Sequence, residues 1–529
     1  MRKRYLAMLV AAILLAFPMS AGAAPLIDLP DTGSLEQPGQ PENPGSYVAL
    51  DPTSGTLIAD SGFEVTRDGF SFENWGPPDG SHRRSMTPAT MQSLYGDRIC
   101  ARVVDGACVL TATGEVLERD SNESSDGGHC FGMAAVAGLF STGGLDKSGY
   151  VPAGQNLYDV GPSDQLDGLI SRYFNAQGAL PTADAATRSS VADTLAKIES
   201  AWAAGDNYLL AIMSDTGGHA ITPIALRDLG DGRTGIVVYD NNYPGVEKMV
   251  VTDPRANTWY YTTALNPAEP SALYLGSPSN PMILFPLSQM TQVHECPVCH
   301  DVGDDSVLIL VKDTATKPAD DAAAWDLTIT RPGGGPVAGL ERLDYSNTRR
   351  SALYRVPAAT AFELTIGGVP IGPAADVDVS IIGDGWINEV DDLVILPAAT
   401  ATVSVDKDQR RVALASSFPV SPRLTVAGEE SDWSVSAVAT GLHLLPGSTV
   451  SVGRDTDGDY AFGLTGIGVP GALEVNVKRS DTTADHVART RGPVSIPVGT
   501  TGSIAVQTWD GTTPLTFRVG TTNHPMTIG

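Results

Sequence analysis

Gly127-Gly128-His129-Cys130-Phe131-Gly132-Met133, continued by the small apolar run Ala134-Ala135-Val136-Ala137-Gly138-Leu139-Phe140, decides how this chain is read. Paired glycines suit a sharp turn, and the run behind them has the composition of a short buried helix. Cys130 then falls in the first turn of that helix. There the unpaired backbone N–H groups and the positive end of the helix dipole favour a thiolate, the reactive form of a cysteine.

Outward from this stretch, the five cysteines of the chain divide unevenly. Cys100 and Cys108 enclose a short loop, Cys296 and Cys299 are near enough in sequence to close on each other, and Cys130 is left over. The N-terminus supplies an oxidising setting. Arg2, Lys3 and Arg4, an apolar stretch from Tyr5 to Phe17 and the small residues Ala21-Gly22-Ala23 have the layout of a secretory signal, so residues 1–23 are expected to be removed. The mature chain is thus expected to be secreted, extracellular or periplasmic, with both cysteine pairs as disulfides. No later window offers the roughly 18 to 20 apolar residues that cross a bilayer, and no membrane span is expected. A formal net charge of −27 without any basic cluster argues against a nucleic-acid partner and fits solubility.

An unpaired cysteine used as a nucleophile needs a base, usually a histidine turned by a third polar group. His219, in Thr216-Gly217-Gly218-His219-Ala220-Ile221, opens a strand-like run after two glycines. Asp240, Asn241 and Asn242 stand at the end of the next such run, and a turn at Asp231-Gly232 makes the two runs antiparallel neighbours. That pairing brings the Asp/Asn cluster beside His219. His129 is a weaker second base, because adjacent helical residues diverge by about 100°.

Gly-His-Cys-Phe-Gly-Met, Gly-His-Ala at a strand start and Tyr-Asp-Asn-Asn one strand later resemble the papain-like cysteine peptidase superfamily, over roughly residues 60–265. The resemblance implies Cys130 as nucleophile, His219 as base and Asp240 as the residue that orients it, with Asn241 or Asn242 as the fallback third member. It also implies a glutamine about six residues before the nucleophile to help hold the oxyanion. Ser124 stands there instead, and Asn122, the nearest amide, becomes the oxyanion candidate beside the Cys130 backbone N–H. The implied reaction is cleavage of a peptide or other amide bond through an acyl-enzyme, with no cofactor. A secreted binding or adhesion protein carrying an inactive papain-like domain is the alternative.

The expected fold class is an α+β papain-like domain, helices plus antiparallel sheet, followed by all-β sandwich-like modules. Residues 24–50, with Pro25, Pro30, Pro38, Pro41 and Pro44, read as a linker. Residues 51–300 read as the peptidase domain. Within it, Asp164 to Ala176 and a segment carrying Val191, Leu195, Ile198 and Trp202 have helical spacing, whereas Gly62 to Trp75 alternates aromatic and polar residues as short strands do. Beyond these, strand-like runs separated by Gly, Pro and Asp suggest sandwich-like modules over 301–418 and 419–529, with a surface glycan or a protein as their expected partner.

Three further signals carry weaker chemistry. His294-x-Cys296-x-x-Cys299-His300 admits a local disulfide, a metal held with both histidines, or a haem attachment. Asp455, Asp457 and Asp459, alternating around Gly458, make a weak Ca²⁺ candidate. Gly383 to Asp391 is similar to half of a dockerin-type calcium loop, but Ser380 and Ile382 stand where ligands are needed, and a solvated turn is expected. No serine nucleophile elbow and no phosphate-cradling glycine loop is present.

Overall fold

The computed structural model describes residues 47–78, 81–82, 84–214, 217–299, 302–313, 325–343, 351–369, 374–408, 410–430, 432–466, 471–482 and 484–529. Residues 1–46, which hold the expected signal peptide and most of the expected linker, and His300 lie outside them. Among the described residues no helix is long and apolar enough to cross a membrane. The chain folds into two compact units, one holding residues 47–86 and 121–294, the other 87–120 and 295–529.

In chain order, the first half runs β1 (Thr56–Asp60), α1 (Val65–Asp68), α2 (Pro88–Tyr95), β2 (Cys100–Val104), β3 (Ala107–Leu110), α3 (Ala112–Ser124), α4 (Cys130–Thr142) and α5 (Asp164–Ala176). Then come α6 (Thr182–Ala185), β4 (Thr187–Arg188), α7 (Val191–Ala203), β5 (Tyr208–Ser214), β6 (Gly217–Gly230), β7 (Arg233–Tyr239), β8 (Glu247–Asp253), β9 (Thr258–Thr263), β10 (Ala272–Gly276) and β11 (Ile283–Pro286).

The first unit is a helical layer on an antiparallel sheet ordered β10-β9-β8-β7-β6-β5-β11-β4, with β1 paired to β6. Period-two burial sorts its strands. Leu209 and Ala211 of β5 join the core beneath α4 and α5, whereas Leu210 and Ile212 join Val191 and Ile198 of α7 in a second core. Every residue of α4 from Cys130 to Phe140 is buried, which the small apolar run allows without a polar face. At Gly132 a Cβ would sit 2.0 Å from the Ile170 carbonyl oxygen, so only glycine lets α4 approach α5 this closely. Full burial of side chains such as Leu139 and Ile170 contributes about 1.5–3 kcal/mol each.

The expectation of short strands across Gly62 to Trp75 is corrected. The Glu64 N–H donates to Asp68 Oδ2 at 3.0 Å, and this side-chain bond closes the short helix α1 instead. The helices expected at 164–176 and from Val191 are present, capped by Ser163 and Ser190. Asp231 and Gly232 both take positive φ, as the tight turn between β6 and β7 requires.

The second unit is two antiparallel sheets, sandwich-like as expected, facing one another across a single hydrophobic core that runs from Val307 to Met526. The two modules expected on either side of residue 419 share that core. Strand Trp386–Ile395 pairs with Arg423–Glu429, and Arg411–Ser416 pairs with Ser448–Arg454, so both sheets continue through the Pro419 to Pro422 stretch. Residues 87–120, assigned by sequence to the first domain, group with these sheets. There Ala112 and Val116 bury against Leu308, Leu310 and Ile387.

Both expected disulfides form, Cys100–Cys108 on the β2–β3 hairpin and Cys296–Cys299, and Cys130 is the free cysteine.

Candidate active site

The local sequence builds the position of Cys130 step by step. Gly128 adopts φ 136°, a region that favours glycine, and turns the chain into α4, whose first residue is Cys130. The turn is held from outside: the His129 N–H donates to Asn74 Oδ1 at 2.7 Å. Cys130 is 7% exposed.

His219 lies two residues into β6 and is fully buried, and Asp240 follows the end of β7. Its Nε2 donates to Asp240 Oδ1 at 2.8 Å. The other ring nitrogen, Nδ1, has no nitrogen or oxygen partner and faces the thiol electrostatically. Burial works against a charged His219, but the Asp240 carboxylate and then Cys130 outweigh it and raise the imidazole to about 10. Asp240, also buried, would be raised by desolvation alone. Its hydrogen bonds and the facing imidazolium hold it below the usual carboxylate range.

Asp240 is saturated. Oδ1 also accepts the Asn242 N–H at 2.9 Å, and Oδ2 accepts Tyr261 at 2.6 Å and Thr263 at 2.8 Å. The two fallback residues do other work. Asn241 Nδ2 donates to the carbonyls of Cys130 and Ala220, both at 3.0 Å, tying Cys130 to the strand that carries His219. Asn242 Nδ2 donates to Ala264 O at 2.8 Å, and its Oδ1 accepts Asn74 Nδ2 at 3.0 Å.

Asn122, the oxyanion candidate, is committed elsewhere. Its Nδ2 donates to Met86 O at 2.8 Å and its Oδ1 accepts the Met86 N–H at 3.1 Å, a two-way clamp on backbone that leaves it a structural role. His129 is no second base either. Nδ1 pairs with Trp75 O at 2.9 Å, and burial drives the imidazole down to about 4, so it stays neutral near pH 7.

Asn74 and Trp75, which the sequence places only in a strand-like aromatic run, also reach this site. Asn74 joins the turn before Cys130 to the segment after Asp240, also donating its own N–H to Asn241 O at 2.9 Å. Trp75 is stacked between His82 at 3.9 Å and His129 at 4.1 Å, and its buried Nε1–H has no partner. The signal available was an amide and an indole side by side in Glu73-Asn74-Trp75-Gly76, at the end of an otherwise aromatic run.

Outside the triad, the metal and haem alternatives at the Cys-x-x-Cys-His sequence lose their thiolates to the disulfide. His294 directs Nε2 to Thr182 Oγ1 at 2.7 Å and Nδ1 to Gln292 O at 2.9 Å, which occupies both ring nitrogens. Asp455 Oδ1 accepts the N–H groups of Asp457 and Asp459, so the calcium candidate is the turn of a hairpin, and no metal-holding group of three His, Cys, Asp or Glu forms among the described residues. Residues 384 and 385 likewise form the turn between strands Ala375–Gly383 and Trp386–Ile395.

No family model, curated protein or solved structure matches this chain.

Proposed function

We propose that the first unit is a secreted thiol hydrolase acting on peptide or other amide bonds. One observation carries this: His219 is bonded through Nε2 to Asp240 and leaves Nδ1 for a free thiol at the start of a buried helix. In the proposed cycle the Cys130 thiolate attacks the carbonyl carbon, and the imidazolium gives its proton to the departing amine. Water then loses a proton to His219 and displaces the thiolate from the acyl-enzyme. Asp240 fixes the tautomer and balances the imidazolium. The Cys130 N–H is an oxyanion donor by its place at the helix start, and Trp75 Nε1–H, unpartnered beside His129, replaces Asn122 as the second candidate.

A second reading, a binding protein on a papain-like scaffold, draws support from the burial of Cys130 at 7% and His219 at 1% exposure. Alkylation by iodoacetamide at about pH 6 separates the two, since an ordinary thiol barely reacts there. The hydrolase reading expects stoichiometric labelling of Cys130 that slows by roughly a hundredfold in His219→Ala. Labelling that is absent, or equal in both proteins, favours the scaffold.

A further inference from the structure

Gly127 and Gly128 bring the chain to Cys130, and a glycine pair has no stiffness of its own. The seat of the thiol is therefore set by what grips this turn from outside. Two buried amides do so. Asn74, 3% exposed, accepts the His129 N–H on Oδ1 at 2.7 Å, and Asn266, 8% exposed, donates Nδ2 to the Gly127 carbonyl at 3.1 Å. They press on Gly128, where a Cβ would meet Asn74 Nδ2 at 3.1 Å and Asn266 Cβ at 3.7 Å.

Asn74 reaches further than the turn. Its own N–H donates to Asn241 O at 2.9 Å, and its Nδ2 donates to Asn242 Oδ1 at 3.0 Å and to Leu265 O at 3.2 Å. Asn241 in turn donates to the Cys130 carbonyl at 3.0 Å. These bonds close a circuit from the residue before Cys130, through Asn74, to the residue after Asp240 and back to Cys130. Both polar atoms of the Asn74 side chain are engaged in holding backbone and side chain, so it acts on the reaction only through the groups it holds.

We propose that Asn74 is the positioning residue of this site, seconded by Asn266: the two amides fix the glycine turn so that the Cys130 thiol stays within reach of His219 Nδ1. The proposal rests on the hydrolase reading, in which thiolate and imidazolium form a pair that weakens as they part. Released from Asn74, the turn withdraws the thiol for part of the time, and a misplacement of about 1 Å at a reacting atom can cost roughly a hundredfold.

Alkylation of Cys130 by iodoacetamide, followed from about pH 5 to 9 in the full chain and three variants, tests this. Asn74→Ala slows labelling at about pH 6 by roughly tenfold or more and moves the acid limb of the profile up by about one pH unit, the same factor. Asn266→Ala cuts a single, longer bond to the turn and shifts the profile the same way by about threefold. Asn207→Ala is the control. Asn207 is also 3% exposed and accepts the Trp202 Nε1–H at 2.8 Å and the Tyr208 N–H at 2.7 Å, but it lies before β5, away from Ile212, the residue opposite His219. Its loss lowers the Tm and leaves the profile in place, which separates positioning from mere stability. A profile unmoved in Asn74→Ala, or in Asn266→Ala should the first variant not fold, overturns the proposal while leaving the hydrolase reading intact. So does a profile moved equally by Asn207→Ala. A wild-type thiol inert at about pH 6 defeats the hydrolase reading itself, and the proposal with it.

Discussion

In the first unit, buried Asp240 takes four hydrogen bonds and faces an imidazole that it and Cys130 raise to about 10 and that still has one nitrogen without a nitrogen or oxygen partner. In the second, buried charge is closed on itself. Lys478 is shared by Glu115 at 3.0 Å, Glu118 and Asp485 at 3.4 Å, and Arg119 by Asp120 at 2.5 Å, Glu389 at 3.1 Å and Asp391 at 3.4 Å. Burial pushes Glu118 up to about 8 even against Lys478, and Glu389 and Asp391 to about 7. Both clusters put ionised groups out of water at considerable cost. Each charged group of these clusters has an ion-pair partner within its cluster, whereas His219 keeps Nδ1 toward a thiol.

The sharpest way to break that contrast is to remove one partner from each cluster. Asp240→Ala and Lys478→Met should each cost roughly 3–5 kcal/mol in denaturant unfolding, because each strands a buried charge. Only Asp240→Ala should also abolish thiol labelling. Loss of labelling in Lys478→Met would erase the distinction. Gly132→Ala comes next, at about 3 kcal/mol, since its methyl meets a backbone oxygen that cannot turn aside. Labelling should fall with it if the seat of α4 on α5 places Cys130. Replacing both Cys100 and Cys108 by serine should cost about 2.5 kcal/mol, and the tighter Cys296–Cys299 loop about 2, from loop-closure entropy. Neither should alter labelling. The smallest stability effect is expected for Trp75→Phe, about 1–2 kcal/mol, because the smaller ring leaves a void between His82 and His129 while removing an unpartnered buried N–H. Its effect on turnover should be far larger if Nε1–H serves the oxyanion, roughly a hundredfold.

The juxtaposition of Cys130, His219 and Asp240 was legible because each sits in a local pattern: glycines before a small apolar run for Cys130, glycines before a strand for His219, and a tight turn that pairs the strands of His219 and Asp240. The cysteine pairs were legible from spacing. Asn74 and Trp75 were not, because their partners His129, Asn241 and Asn242 are distant in sequence and nothing local marks the contact. Asn122 misled for a related reason. Its nearness to Cys130 in sequence suggested an oxyanion donor, while the Met86 backbone, far upstream, claims both ends of its amide. The single core of the second unit was also hidden, since strand spacing reveals strands but not which of them pair across Pro419 to Pro422.

The central claim is a buried imidazole kept charged between a carboxylate and a thiol, and NMR titration of His219 tests it directly. A raised histidine stabilises the fold fully below its unfolded value near 6.5, and that contribution is lost as pH climbs toward about 10. Depressed Asp240 adds stability above its unfolded value of 3.8 that disappears as the solution is acidified past its folded value. The account predicts that His219 stays protonated well past neutrality, that Cys130→Ala lowers its pKa, and that Asp240→Asn lowers it further. A ring that titrates near 6.5 in all three proteins would contradict it.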